Sequence, residues 1–216
     1  MCARYAFRKV SVVLDDLGVA PLPGLEPRDN ILPRQNVPVI LASDGELIVQ
    51  ELRWGLIPPW AKDESFGDKA INARSESLRD KPSFRQALAR KRCIIPATGF
   101  YEWKGQKGNK QPFLISSGLY DGFAMAGLYE DWVGSSGIRS TAIITVPANE
   151  TVSTLHNRMP ALLPRNRWRD WLSPDLPQAE ALSLLIPDED HDLRLMPHNR
   201  ELLLGSPQKS EQRGLF

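Results

Sequence analysis

The sequence predicts a single α+β domain: curved or barrel-like, mostly antiparallel sheets with a few helices at their margins. Three observations predict it. The chain has 216 residues, enough for one domain with a sizeable core. Its 18 prolines and 15 glycines cut it into short pieces, several of them rich in Val, Ile and Leu. The connections between those pieces are short, which suits antiparallel pairing better than crossovers.

The pieces follow in order. "VPVILASDGELIVQELRWGL" reads as a hairpin, with two apolar runs flanking the turn-forming "SDG". "KPSFRQALARKR" reads as a helix. Pro82 sits near the first turn, Phe84 and Leu88 share a face, and basic residues close the end. "RCIIPATGFYEWK" reads as a buried strand, a turn and a second strand, and "GQKGNKQ" as a loop before the strand "PFLIS". "GFAMAGLYEDW" and "IRSTAIITVPAN" are two more strands joined by "VGSSG". "PRNRWRDWL" and "LPQAEALSLL" complete the helices, the former with Trp168, Trp171 and Leu172 at helical spacing. This gives seven or eight strands. After "LLLG" the composition turns polar, so the chain is expected to divide into a folded domain over 1–205 and a mobile tail over 206–216.

Bulk properties exclude several classes. No apolar run approaches the roughly 20 residues of a membrane span. The N-terminus lacks the basic flank and apolar core of a secretory signal. Two cysteines make no disulfide framework, and a reducing, cytoplasmic compartment is the simplest expectation. The three histidines and two cysteines show no metal-ligand spacing, so no metal or other cofactor is expected. A net charge of +1 does not advertise a nucleic-acid binder, so DNA binding would have to come from locally clustered arginines.

Four segments can carry chemistry. "MCARY" places Cys2 directly after the start methionine. With Met1 removed, a free α-amine and a thiol stand on adjacent carbons; the bland alternative is a frayed terminus. "INARSE" alternates Asn72, Arg74 and Glu76 with small residues, which also suits a polar connector. In "GFYEWK", Glu102 faces opposite to Tyr101 and Trp103 if the segment is a strand. With the aromatic pair outward, Glu102 faces the core or a pocket, where burial raises a carboxyl into the range of a general acid or base. With the pair inward it is an exposed charge. "TLHNRMP" offers His156, either a turn-capping loop residue or a proton shuttle. Trp54 and Trp60 bracket a Gly/Pro-rich loop, as stacking surfaces for unpaired bases or as core. Cys93 in "RCIIPA" reads as a buried strand residue.

Taken in order, "MC-x-R", "WG…PPW", "NARSE", "GFYEWK" and "HNRMP" resemble the SOS response-associated peptidase (SRAP) family, the abasic-site processing proteins, from Cys2 to about Leu172. The resemblance implies a single-domain enzyme that captures abasic sites in single-stranded DNA covalently during the DNA-damage response. It assigns Cys2 as the catalytic cysteine bared by autoproteolytic loss of Met1, and Asn72, Glu102 and His156 as its catalytic companions. It assigns Arg4, Trp54, Trp60, Arg74, Trp103, Arg158, Met159 and Pro160 to DNA contact, with Met159–Pro160 as a wedge. The usual opening has glycine where this chain has Ala3, which adds a methyl close to the reacting centre.

The implied chemistry accounts for the position of Cys2. An N-terminal amine titrates at about 7.7–8.0 and is partly neutral at physiological pH. It can form an imine with the aldehyde of an opened abasic sugar, and the neighbouring thiol can then close a thiazolidine on the same carbon. Two other readings compete. One is an N-terminal-nucleophile peptidase or amidase; the other is a non-catalytic single-strand binder. The last five residues, Gln212–Phe216, resemble the Q-x-x-L-F peptide by which repair polymerases dock on a sliding clamp. The protein is expected to be a monomer.

Overall fold

The computed structural model describes residues 2–9, 11–106, 109–134, 137–189 and 191–204. The strands are β1 (Tyr5–Phe7), β2 (Arg28–Ile31), β3 (Asn36–Ser43), β4 (Glu46–Trp54), β5 (Asn72–Arg74), β6 (Arg92–Ala97), β7 (Gly99–Lys104), β8 (Gln111–Ser117), β9 (Phe123–Trp132), β10 (Ile138–Pro147), β11 (Arg158–Pro160) and β12 (Leu193–Pro197). The helices are α1 (Ser11–Leu17), α2 (Pro82–Arg90), α3 (Glu150–Ser153), α4 (Trp168–Leu172), α5 (Gln178–Ser183) and α6 (Arg200–Leu204). The expected α+β architecture is what forms, with more and shorter strands than the sequence announces.

Five strands close a barrel. β10 pairs with β4, β4 with β3, β3 with β6, β6 with β9, and β9 back to β10. Closure removes the free edges that an open sheet would expose. The β3–β4 hairpin follows from its turn: Ser43 faces Glu46 across a two-residue loop. Asp44 and Gly45 there both have positive φ (51° and 84°), as a type I′ turn requires. The second sheet is open, in the order β12-β8-β7-β1-β2. Thr98 alone separates β6 in the barrel from β7 in the open sheet, so one chain segment joins the two layers.

β10 organises the site end of the barrel. Along one edge it pairs in parallel first with the end of β4 and then with β5, at Ile143↔Asn72 and Thr145↔Arg74. Along the other it pairs with β9 and then with β11, at Thr145↔Pro160 and Pro147↔Arg158. The parallel pairings depart from the expected antiparallel connections. They are possible because the 55–71 loop carries the chain back to the same edge. That loop is pinned where Gly55 crosses Gly67: a Cβ on Gly55 would lie 2.6 Å from the Gly67 carbonyl oxygen.

α2 forms as its sequence dictates, with Pro82 in the first turn and Phe84, Ala87 and Leu88 buried against the barrel. Arg92, just beyond it, is buried. All its N–H groups donate to carbonyls: Leu88 and Ala89 at the end of α2, and Trp171, Ser173 and Leu176 around the end of α4. It therefore satisfies orphan carbonyls at two helix ends.

Candidate active site

The N-terminus, β5, β7 and the turn before β11 meet between the open sheet and the barrel. Cys2 is fully buried, and its carbonyl accepts a hydrogen bond from Asn72 Nδ2 at 2.7 Å. The loop pinned at Gly55 thus holds the first residues of the chain through β5. The Asn72 Oδ1 atom is buried and has no hydrogen-bond partner among the described residues. The Cys2 thiol lies 3.8 Å from the Arg4 carbonyl. Burial, and next the nearby Glu102 charge, push the thiol up to about 12.

Glu102 resolves one of the sequence's open alternatives. On β7, Phe100 belongs to the main core and Tyr101 to a small cluster on the opposite face, with Trp103 packed against it. Glu102 therefore projects toward Cys2, on the Phe100 side, and is 5% exposed. Burial holds its carboxyl above the usual carboxylate range; the chain's amino terminus and His156 partly offset the rise. His156 follows α3, and its backbone N–H donates to the Val152 carbonyl. Its Nδ1 accepts the Arg158 N–H at 3.0 Å and lies 3.2 Å from the Arg158 carbonyl. A neutral ring thus carries its proton on Nε2, while a doubly protonated ring can donate from Nδ1 to the carbonyl. The Arg158 backbone thus fixes the orientation of the ring through Nδ1.

The eight residues expected to touch DNA separate sharply. Arg74 is exposed, with no side-chain hydrogen bond or ion pair among the described residues. Trp60 is 55% exposed and packs edge-on against Phe66. It adjoins Ala61, whose carbonyl accepts from Trp132 Nε1, and Trp132 faces Ile138 at the start of β10. Arg4 and Trp103 lie together, the guanidinium carbon 5.5 Å from the indole centre.

The other four are buried or engaged within the protein. Trp54 is completely buried: its Nε1 donates to the Ile71 carbonyl at 2.8 Å and its ring meets Tyr5 edge-on. It is core, not a stacking platform. Met159 and Pro160, expected to form a wedge, are buried in β11, paired to Val146 and Thr145. Arg158 is 12% exposed, and its guanidinium fork is occupied by both Glu76 carboxylate oxygens, at 2.7 and 3.0 Å, with Thr145 O as a further acceptor. It has a carboxylate partner where an open phosphate site was expected. Burial would raise Glu76, but the Arg158 fork holds it below the usual range. Glu76 is the functional side chain that the sequence left unassigned; its place in "INARSE", four residues after Asn72, was the available clue. Among the described residues, no three of His, Cys, Asp and Glu are grouped to hold a metal ion.

A closed barrel flanked by an open sheet thus brings a buried thiol near the chain's start together with an amide, a raised carboxyl and a histidine. The chain belongs to the SOS response associated peptidase (SRAP) family, whose profile matches residues 1–202. It is 40% identical over 199 residues to the abasic site processing protein YoqW of Bacillus subtilis, covering 89% of each chain. It is 37% identical over 219 residues to YobE of the same organism, also named an abasic site processing protein, covering 98% of this chain and 99% of that one. A crystal structure of a Bacteroides thetaiotaomicron protein superimposes with a TM-score of 0.82 at 29% identity, covering 98% of this chain and 100% of that one.

Proposed function

We propose that this protein processes abasic sites in single-stranded DNA by forming a covalent adduct through Cys2 once Met1 has been removed autoproteolytically. The observation that carries the reading is the convergence of Cys2, Asn72, Glu102 and His156 from four separate segments onto one buried position. The relatives named abasic site processing proteins support the substrate class.

The residues divide the reaction as follows. The opened sugar offers an aldehyde. The Cys2 α-nitrogen adds to its carbon, and water leaves to give an imine. Glu102, whose carboxyl burial raises above the usual carboxylate range, protonates the departing hydroxyl. The Cys2 sulfur then bonds to the same carbon. The thiol proton passes through the Glu102 carboxylate to the ring nitrogen, closing the thiazolidine. Overall one water is released and nothing is oxidised. Asn72 fixes the first residue through its carbonyl, and its Oδ1 is placed to accept from the freed amine. His156 donates from Nε2 to the sugar oxygen during ring opening. Such positioning supplies up to about 7–11 kcal/mol when reacting groups are well aligned.

The reading includes a role in the DNA-damage (SOS) response, a cytoplasmic monomer, and docking of Gln212–Phe216 on a sliding clamp. That peptide lies outside the described residues. Among those residues, no helix is long and apolar enough to cross a membrane.

The test is intact mass and denaturing gels after incubation with an abasic single strand. The expected product lacks Met1 and has the summed mass of protein and strand less one water. Cys2→Ser should abolish it, and Glu102→Gln should slow it without abolishing DNA binding. A heat-stable adduct of undiminished yield from Cys2→Ser would overturn the mechanism.

A further inference from the structure

His156 follows a helix too short to place it. α3 has four residues, and one turn of helix is not stable alone in water. The N–H groups of Leu155 and His156 both donate to the Val152 carbonyl at the end of that turn. The setting of the histidine ring therefore depends on what fixes the 148–157 segment from outside.

Asn149 is where that segment is fixed. Its Oδ1 accepts the Val152 N–H at 3.0 Å and caps α3. Its backbone N–H donates to Met159 Sδ in β11 at 3.4 Å. Beside it, the Ala148 N–H donates to the Asn157 carbonyl and closes the segment on itself. Capping alone needs one oxygen, which Ser, Thr or Asp supplies as well. Among the good capping residues only Asn also carries an N–H donor on its side chain. That donor is used: Asn149 Nδ2 donates to the Asp188 carbonyl at 2.7 Å.

The far side of that bond is firmly held. Asp188 and His191 are both buried, and the Asp188 carboxylate meets the His191 ring Nδ1 and accepts its backbone N–H. The His191 ring packs edge-on against Tyr120 and Phe123. Its carbonyl accepts from Ser117 Oγ at 2.7 Å and from the Gly118 N–H. Ser117 ends β8 and Phe123 begins β9, so the anchor reaches both the open sheet and the barrel. The proposed reaction uses none of these groups.

We infer that Asn149 is a positioning residue for His156, and that the buried Asp188–His191 pair is the anchor through which it acts. The path runs from the pair through the Asp188 carbonyl to Asn149 Nδ2, then through the α3 cap to the histidine. This rests on the reading of His156 as the donor to the sugar oxygen. Misplacing a reacting group by about 1 Å costs up to about a hundredfold in rate.

The test uses the full chain with Asn149→Asp, whose carboxylate still caps α3 but has no hydrogen for the Asp188 carbonyl. Single-turnover adduct formation is followed across concentrations of an abasic single strand. The His156 ring is read by long-range proton–nitrogen NMR at about pH 8.5, above the ordinary histidine range. Its signals are assigned by their loss in His156→Gln. The unmutated protein should show the Nε2–H tautomer, because Nδ1 accepts the Arg158 N–H. Asn149→Asp should lower the saturating rate about ten- to a hundredfold and change the half-saturating concentration by less than about twofold. It should also mix the two tautomers. An unchanged saturating rate overturns the proposal. So does a slower rate with the Nε2–H tautomer intact, which would leave Asn149 a structural part only. If Asn149→Asp fails to fold, Asn149→Ser, which keeps a capping hydroxyl, is read in the same way. The unmutated protein separates the two claims. No adduct from it sinks the functional reading, whereas adduct formation that these variants leave unchanged sinks the positioning role alone.

Discussion

Glu102 shows at the residue scale how the site trades stability for chemistry. Its carboxyl is raised in the folded protein, chiefly by burial, from an ordinary value of 4.5. A raised carboxyl contributes stability that is fully present below 4.5 and is lost as pH rises through the folded value. At neutral pH and above, the charged form is therefore a net burden on the fold. Glu102→Gln should melt at a higher temperature than the unmutated protein at pH 8, and the gain should fade as pH falls through the raised folded value and be gone below 4.5, a comparison that thermal melts across that range will make. The same variant is expected to lose reaction rate. Arg158 makes a second residue-scale case. Its guanidinium is committed to Glu76 and Thr145, while its backbone holds His156 Nδ1. We expect Arg158→Ala to slow adduct formation several-fold while leaving affinity for an intact single strand nearly unchanged. Loss of the half-exposed ion pair should cost about 1 kcal/mol of stability. Single-turnover rates beside anisotropy titrations distinguish this from a phosphate contact, which would lose affinity first.

Elements explain which residues could be read in the sequence and which could not. The β3–β4 hairpin and α2 are legible because their determinants are local: a two-residue turn with positive φ, and a proline start with apolar spacing. β5, β11 and β12 have only three to five residues and no periodicity to read; each exists because a neighbouring strand offers it an edge. The site residues were legible as motif letters, but their exposure was not. Trp54 was ambiguous because a tryptophan beside glycine and proline looks the same whether it closes a core or faces a ligand. The loop that returns to β5 decides the matter by burying it. That loop depends on Gly55, which has φ of 130° and a carbonyl 2.6 Å from where a Cβ would stand. Gly55→Ala should destabilise the protein by about 1–3 kcal/mol, the usual cost of overpacking. It should also slow the reaction by loosening β5, and with it the Asn72 bond to the Cys2 carbonyl. Denaturant melts and adduct rates measured together would test the link; a destabilised variant with an unchanged rate would break it.

At the scale of the whole molecule, the near-neutral charge limits how DNA can be held. With a net charge of +1 there is no broad electrostatic attraction, so a few placed cations and aromatic faces must supply the binding. Most arginines near the site are already engaged: Arg158 by Glu76, and Arg53 and Arg34 by Asp68. Arg74 is exposed, and Arg4 lies against the Trp103 indole with Nη1 on the Leu203 carbonyl. Two phosphate contacts on a single strand predict a slope of about −1.4 for log affinity against log salt, at about −0.7 per phosphate. Arg74→Ala should flatten that slope by about 0.7 and weaken binding to every sequence alike. Arg158→Ala should leave the slope where it was, because its charge is already spent within the protein. Anisotropy titrations between about 50 and 200 mM salt resolve the difference. A much steeper slope would mean that a basic surface remote from Cys2 does the holding, and the active site would then be a passenger on DNA bound elsewhere.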